Sequence, residues 1–280
     1  MENITLNNGN QMPKLGLGVF QMNDQQVLDT IPMALDAGYR LIDTASRYYN
    51  EEAVGRAIAE SGIAREELFI TTKLWFKDHG YDNTKKALQV SLEKLDLDYL
   101  DLWLIHQPFN DYYGSWKAME ELIDAGLVRS IGVSNFYADR YADLVAHNRI
   151  VPAVNQRETH VFNQQIEMDQ LLKQHGTVLQ AWAPLAQGNQ EAHTNPLLVS
   201  IAEQYRKSIA QVMLRWLLQR DITAVVKSTK KHRLRENIDV FDFTLTDEEM
   251  AGIAALDKQQ PLAGFTHRDP RMLERLQSLD

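Results

Sequence analysis

The chain has 280 residues, a formal net charge of −9, 44% hydrophobic and 24% charged residues, and no cysteine. That length buries a sizeable core as one large domain or two ordinary ones, and the missing cysteine excludes disulfide staples, thiolate metal sites and a cysteine nucleophile. The acidic balance disfavours non-specific nucleic-acid binding, no apolar run reaches the roughly 20 residues of a membrane span, and the opening Met1-Glu2-Asn3-Ile4-Thr5 carries no export signal, so a cytoplasmic protein is expected.

Residues 3–15 set the turn-forming Asn7-Asn8-Gly9-Asn10 between two short apolar stretches, which predicts a β-hairpin that plugs or caps a larger body. A strand over 15–19 and a helix over 24–37 follow; Val27, Ile31, Ala34 and Leu35 stand at helical spacing, and Gly38 ends the helix. Gly16 and Gly18 approach a dinucleotide fingerprint, but Gln21 holds the third glycine position and the stretch reads as a tight strand exit.

The strand-helix phrase then recurs at 40–43 with 51–61, where Asn50 is the expected helix cap, at 68–73 with 83–95, and at 100–106 with 114–125. It continues at 130–134 with 138–147, 153–158 with 164–175, and 177–181 with 197–205. A helix over 208–220 precedes the eighth pair, 223–227 with 231–240. Eight such units without a linker-like break predict parallel pairing in one domain over 1–280, an α/β (β/α)₈ TIM barrel with an N-terminal hairpin. Further helical pattern at 247–256 and a polar tail from Lys258 are expected as additions, the tail as a loop over one end.

In such a barrel the carboxyl ends of the strands collect the functional groups. They hold Asp43 and Tyr48, Lys73, His106, Ser134 and Asn135, Gln156, and Lys227 with Ser228. Singly, each has an ordinary structural role as ion pair, helix cap or core histidine; together, an acid, a phenol, an amine and an imidazole at one mouth form a reaction centre. A phenol of pKa about 10 becomes a usable proton donor beside an ammonium, so Lys73 is expected to lower Tyr48 and Asp43 to hold Lys73. His106 would present an N–H to a carbonyl oxygen and align it with Tyr48. The histidines lack metal-ligand spacing, and paired carboxylates for hydrolysis are missing, so no metal is expected.

These phrases, in order, resemble the aldo-keto reductases over nearly the whole chain. They are Gly38-Tyr39-Arg40 to Ile42-Asp43-Thr44-Ala45 with Tyr48 and Asn50-Glu51, then Thr72-Lys73-Leu74-Trp75, then Leu104-Ile105-His106. Gly132-Val133-Ser134-Asn135-Phe136, Pro152-Ala153-Val154-Asn155-Gln156, and Lys227-Ser228 with Arg233, Glu236 and Asn237 complete the match. The resemblance, to bacterial-type members similar to 2,5-diketo-gluconate reductases, implies NADPH-dependent reduction of aldehydes or ketones to alcohols with Tyr48 as proton donor. It implies that Ser134, Asn135 and Gln156 bind the nicotinamide carboxamide and that Trp182 stacks on the ring. Backbone around Leu185 would serve the pyrophosphate. Lys227, Ser228, Thr229 and Arg233 would clamp the 2′-phosphate, with Glu236 and Asn237 at the adenine, so NADPH is expected over NADH.

Phe20, Tyr49, Trp75, His106 and Gln107 are the expected substrate contacts. Gln107 stands where many members have Trp, Tyr49 where Gly is common, and Arg157 where an apolar residue is usual, which suggests a more polar mouth. Ala183 and Ala186 replace a Ser and a Gly, and Val226 a Pro. The expected partner is a small carbonyl compound, with no nucleic acid or membrane, and the barrel is expected to be a monomer. A non-catalytic NADPH-binding regulatory subunit on the same barrel is the alternative, and the four filled catalytic positions speak against it.

Overall fold

The computed structural model describes residues 2–262 and 264–278. Two short strands, β1 (Asn3–Thr5) and β2 (Gln11–Pro13), pair antiparallel with Ile4 opposite Met12. Eight parallel strands close a barrel in chain order: β3 (Leu15–Gly18), β4 (Leu41–Asp43), β5 (Phe69–Leu74), β6 (Leu102–Ile105), β7 (Ile131–Ser134), β8 (Val154–Glu158), β9 (Val178–Trp182) and β10 (Thr223–Val226), which returns to pair with β3. The crossover helices are α1 (Asp24–Asp36), α2 (Glu51–Ala59), α3 (Tyr81–Leu95), α4 (Tyr112–Asp124), α5 (Ala138–His147) and α6 (Ile166–Gln174). A short α7 (Gln190–His193) precedes α8 (Pro196–Tyr205) and α9 (Ile209–Gln219), and α10 (Lys231–Ile238) follows β10. Two helices lie beyond the ring, α11 (Asp247–Ala254) and α12 (Arg271–Gln277). No helix among the described residues is long and apolar enough to cross a membrane.

Alternation along each strand sorts side chains into two cores. Leu41, Phe69, Leu102, Leu104, Val154 and Val178 fill the barrel interior, while Ile42, Ile70, Trp103, Ile105 and Leu179 face the helices. The same parity turns Asp43, Lys73, Gln156, Gln180 and Trp182 inward, so the polar groups form a layer above the apolar one. Gly16 and Gly132 let this interior close, because a Cβ on Gly16 would strike the Leu41 side chain and one on Gly132 would sit 2.5 Å from the Val154 carbonyl oxygen.

The hairpin closes the opposite end, as its sequence predicts. Leu6 and Met12 are buried in the interior cluster, and Asn8 and Asn10 each donate to the Arg129 carbonyl and to Ser130 Oγ at 2.9–3.0 Å. The tail differs from its expected form. It contains α12, whose Met272 and Leu276 pack on Trp75 and Phe76 in a third apolar cluster. Pro270 opens this helix, and its apolar face is too short to stand out in a polar stretch. Asn50 also differs: it occupies the cap position of α2 without a capping bond. Its side chain accepts from Thr44 Oγ1 at 2.8 Å and donates to the Val19 and Met22 carbonyls at 3.1 Å, so it fastens the β4 exit to the β3 exit.

Candidate active site

Asp43 ends β4 and Lys73 lies near the end of the adjacent β5, both inward and both buried. Lys73 Nζ donates to Asp43 Oδ1 at 2.5 Å, to the Thr44 carbonyl at 3.0 Å and to the Tyr48 hydroxyl at 3.3 Å. Three acceptors satisfy the three ammonium protons, which is what an ion buried to this degree needs. Burial opposes the Lys73 charge, but the Asp43 carboxylate and Tyr48 outweigh it, and the lysine pKa rises.

Tyr48 arrives on the one-turn helix Ser46–Tyr48, tied down by a bond from Ser46 Oγ to the Lys73 carbonyl at 2.9 Å. Lys73 acts on it in the expected direction but does not decide the outcome. Burial is the largest influence and pushes the phenol up; Lys73 pulls it down, Asp43 pushes it back up, and the net direction is up. The group therefore holds its proton through neutrality instead of approaching phenolate.

His106 follows β6, its backbone N–H donating to the Leu74 carbonyl at 3.0 Å. Its ring lies 5.7 Å from the Tyr48 ring and 5.2 Å from the Trp75 ring, edge-on to both. Burial, joined by the Lys73 charge and by His267, His79 and Arg47, holds the imidazole well below its usual pKa. It is neutral at physiological pH and offers one N–H.

A second set of bonds runs from Asp43 round the barrel. Gln156 Nε2 donates to Asp43 Oδ2 at 2.8 Å and to Gln180 Oε1 at 2.7 Å. Ser134 Oγ donates to the Gln156 carbonyl at 3.0 Å. Asn135, in a left-handed conformation with φ 64°, donates to Ser134 Oγ and to the His106 carbonyl at 3.1 Å, and its Oδ1 accepts from Trp182 Nε1 at 3.0 Å. Three of the cofactor residues expected from sequence thus join Asp43 to the half-buried Trp182 ring. Gln180 escaped the sequence reading, although a lone amide at mid-strand among Val178, Leu179 and Ala181 is a signal for an interior polar layer.

The remaining expected cofactor residues lie farther round the mouth. Lys227 Nζ donates to the Gln21 carbonyl at 3.2 Å, and burial lowers its pKa. Buried Ser228 accepts the Lys230 N–H at 3.1 Å. Thr229 borders an open depression with Lys230, Lys231, His232 and Arg235. Arg233 is exposed, Glu236 half-buried and Asn237 buried on the same helix. His232 was missed, though it stands inside the basic run. Lys227, Lys230, Lys231, Arg233 and Arg235 make no salt bridge among the described residues, so a chain of charge −9 keeps its basic cluster open to an anion. Beside Leu185, positive φ values at Ala183, Ala186 and Gln187 curl the backbone into the kind of nest whose N–H groups face an anion. His193 Nε2 fastens that loop to the Leu185 carbonyl at 3.2 Å. A phosphate-bearing dinucleotide fits this donor set. No group of three or more His, Asp and Glu among the described residues could hold a metal ion.

Of the expected substrate contacts, Phe20 and Tyr49 are exposed aromatics, and the Phe20 ring lies 4.9 Å from the Tyr48 ring. Trp75 and Gln107 are buried, Trp75 with its ring against that of His106. Arg47 lies 4.6 Å over the Tyr49 ring and 5.8 Å over Trp75. A cleft of about 350 Å³ beside the mouth is lined by Arg47, Tyr49, Trp75 and Lys86, but Tyr48 and His106 do not line it, so it flanks the reaction centre. Arg157, expected to border the mouth, does not point into the barrel interior. Strand parity turns it outward, where it stacks 3.9 Å from the Tyr137 ring and donates to the Phe136 carbonyl at 3.2 Å, with burial lowering its pKa to about 10.

His79 and His267 are contributions that sequence reasoning passed over. His79 Nδ1 donates to the Phe109 carbonyl at 2.7 Å and so holds the loop after β6; burial lowers its pKa to about 4. His267, from the C-terminal segment, is buried close to His106, and burial with Arg157 and Arg140 lowers it to about 3. Sequence offered only a triplet, His267-Arg268-Asp269, with no supporting motif.

Comparison with known proteins identifies the family. The pattern of the Aldo/keto reductase family matches residues 14–258. A protein named glyoxal reductase from Bacillus subtilis (strain 168) is 48% identical over 261 residues, covering 92% of this chain and 94% of that one. An aldo/keto reductase structure from Brucella melitensis is 43% identical, with a TM-score of 0.88 over 91% of this chain and 99% of that one. The Bombyx mori aldo-keto reductase in complex with NADP is 39% identical, with a TM-score of 0.89 over 93% and 94%.

Proposed function

The chain belongs to the aldo/keto reductase family of NADP-dependent oxidoreductases, and from that premise we propose that it reduces aldehydes and ketones to alcohols with NADPH, Tyr48 supplying the proton. The observation that carries the reading is the buried contact series from Asp43 through Lys73 Nζ to the Tyr48 hydroxyl, 2.5 and 3.3 Å long, beside a neutral His106.

NADPH, when bound, supplies the hydride. The carbonyl oxygen would lie between the Tyr48 hydroxyl and the His106 ring, each donating a hydrogen bond that strengthens as negative charge builds on the oxygen. Tyr48, kept protonated by burial, passes its proton to that oxygen. Lys73 then sits beside the phenolate left behind and stabilises it by charge, while Asp43 keeps the ammonium aimed and protonated. Because His106 is neutral, it orients the oxygen without competing as an acid.

Ser134, Asn135 and Gln156 are the proposed contacts for the carboxamide, and Trp182 for the ring. The nest at Leu185 is proposed for the pyrophosphate. Lys227, Ser228, Thr229 and Arg233 are assigned to the 2′-phosphate, whose recognition by guanidinium suits the forked donors of arginine. Glu236 and Asn237 are assigned to the adenine.

The test is NADPH consumption by purified protein with a panel of carbonyls. Tyr48→Phe should lower kcat by roughly 10²–10⁴-fold, the usual weight of a positioned general acid, while NADPH still binds in a fluorescence titration. Full activity in Tyr48→Phe would remove the assignment.

A further inference from the structure

The cleft of about 350 Å³ that flanks the reaction centre takes no part in the chemistry assigned to Tyr48 and His106, neither of which lines it. The long helix α3 supplies Lys86, Ala87, Val90, Ser91 and Lys94 to its lining, and the first residue of α2 supplies Glu51. Trp75 belongs to both places: it lines the cleft and meets the His106 ring edge-on at 5.2 Å.

Helical spacing organises the α3 side. Lys86, Val90 and Lys94 follow one another at four-residue intervals, about 6 Å apart along the axis, so an apolar side chain stands between two ammonium groups. Val90 is 46% exposed, and Tyr49, also in the lining, is 67% exposed. Large apolar side chains left in solvent around one cleft mark a binding surface. Exposed Lys86 and Lys94 make no hydrogen bond or salt bridge among the described residues. Lys85, one residue away, is by contrast engaged by Glu121 at 2.6 Å and by the Tyr81 hydroxyl at 2.8 Å.

The acids of the lining do not cancel these charges. The Glu51 carboxyl is buried, accepts from Thr72 Oγ1 at 2.7 Å and from the Ser91 hydroxyl, and is pushed up in pKa by burial. Burial acts in the same direction on Asp78. Arg47 adds a third cation, over the Tyr49 ring at 4.6 Å and the Trp75 ring at 5.8 Å. In a chain of charge −9, the cleft therefore joins cations to an apolar strip. That combination suits a monoanion with an apolar body, whose charged end takes the lysine ammoniums as donors while its body covers Val90. Phosphate gains less, because it has nothing to cover the apolar strip and carries more charge towards Glu51.

We propose that the cleft between α2 and α3 is a binding site for small carboxylates with an apolar body, the carboxylate held by Lys86 and Lys94 and the body resting on Ala87, Val90 and Tyr49. The site is filled together with NADPH and does not depend on the chemistry of Tyr48.

The experiment titrates the full chain, saturated with NADPH, with hexanoate, hexanamide and inorganic phosphate, and follows the methyl resonances of Ala87 and Val90. Wild type is compared with the pair Lys86→Gln and Lys94→Gln and with Val90→Asp, in which Ala87 alone reports. Hexanoate should move both methyl signals and bind about tenfold or more tightly than hexanamide, the weight of a charge-assisted hydrogen bond, and more tightly than phosphate. The lysine pair and Val90→Asp should each weaken hexanoate about tenfold while NADPH still binds and propanal is still reduced at the wild-type rate. Should Val90→Asp fail to fold, the lysine pair, at exposed positions, carries the comparison. Equal affinity for hexanoate and hexanamide, phosphate binding as tightly as hexanoate, or an unchanged affinity in the lysine pair would each overturn the site. So would hexanoate that moves neither methyl signal and only competes with the carbonyl, since it would then be bound at the reaction centre.

Discussion

The side-chain amide of Gln156 meets the carboxylate of Asp43 at 2.8 Å across the barrel interior, so the acid that holds Lys73 is itself held from the sixth strand of the ring. Gln156→Leu would leave Asp43 Oδ2 and Gln180 Oε1 without that donor. The expected result is a loss of about 1–3 kcal/mol in urea unfolding, the cost of stranding buried acceptors, with a lower kcat. Unchanged stability would mean that the amide is not a support of the site.

Lys73→Met should cost more. It strands the Asp43 carboxylate in the interior, for which about 3–5 kcal/mol is the usual penalty. The pair Asp43→Asn with Lys73→Met should be more stable than Lys73→Met alone, because no charge is then buried unpaired, yet both should lack reductase activity. A double-mutant cycle by chemical denaturation measures the coupling, and strict additivity would contradict the pairing.

Two residues are held at positive φ where their side chains matter differently. Tyr49 has φ 56° and Gln187 φ 52°; left-handed backbone costs an L residue roughly 1–2 kcal/mol, and the greater freedom of glycine in the unfolded chain returns about half of that. Exposed Gln187→Gly should therefore raise Tm by about 1–3 °C. Tyr49→Gly also loses the Arg47 stack at 4.6 Å, worth about 0.5–1 kcal/mol at an exposed site, and should be near neutral. Calorimetry on both variants checks the order.

Acid should weaken the fold before carboxylates titrate. His79 is lowered to about 4 and His267 to about 3 in the folded state, against about 6.5 unfolded. Below pH about 6.5 the unfolded chain binds protons that the folded one refuses, so stability is fully present above that pH and falls as pH drops towards the folded values. At pH about 5 each group costs about 2 kcal/mol. Thermal melts of wild type and His79→Asn at neutral and acid pH test this, and the variant should show the flatter dependence.

The barrel was legible because eight strand-helix phrases repeat without a break, and Tyr48, Lys73, Asp43 and His106 because strand ends converge in that fold. What escaped depended on neighbours across the ring. Whether Arg157 faces the mouth is a matter of strand parity beside Gln156, one residue either way. The upward direction of Tyr48 depends on how deeply the loop buries it, which no residue type encodes. Asn50 has the identity of a cap, but Thr44 and the Val19 carbonyl offered its side chain other partners. His267 is placed by its neighbours, Thr266 bonded to Tyr137 and Phe265 packed on the Trp75 cluster, contacts with segments far away in the chain.

The hairpin that stoppers the barrel floor with Leu6 and Met12, and the α12 that leans on Trp75 at the other end, give the molecule a handle and a doorway at opposite poles. A surface linker or fusion partner attached ahead of β1 would hang the protein with its mouth outward. The same attachment after α12 would begin at the doorframe. Immobilised preparations of the two kinds should therefore differ in access to bulky carbonyls long before they differ in the chemistry they perform.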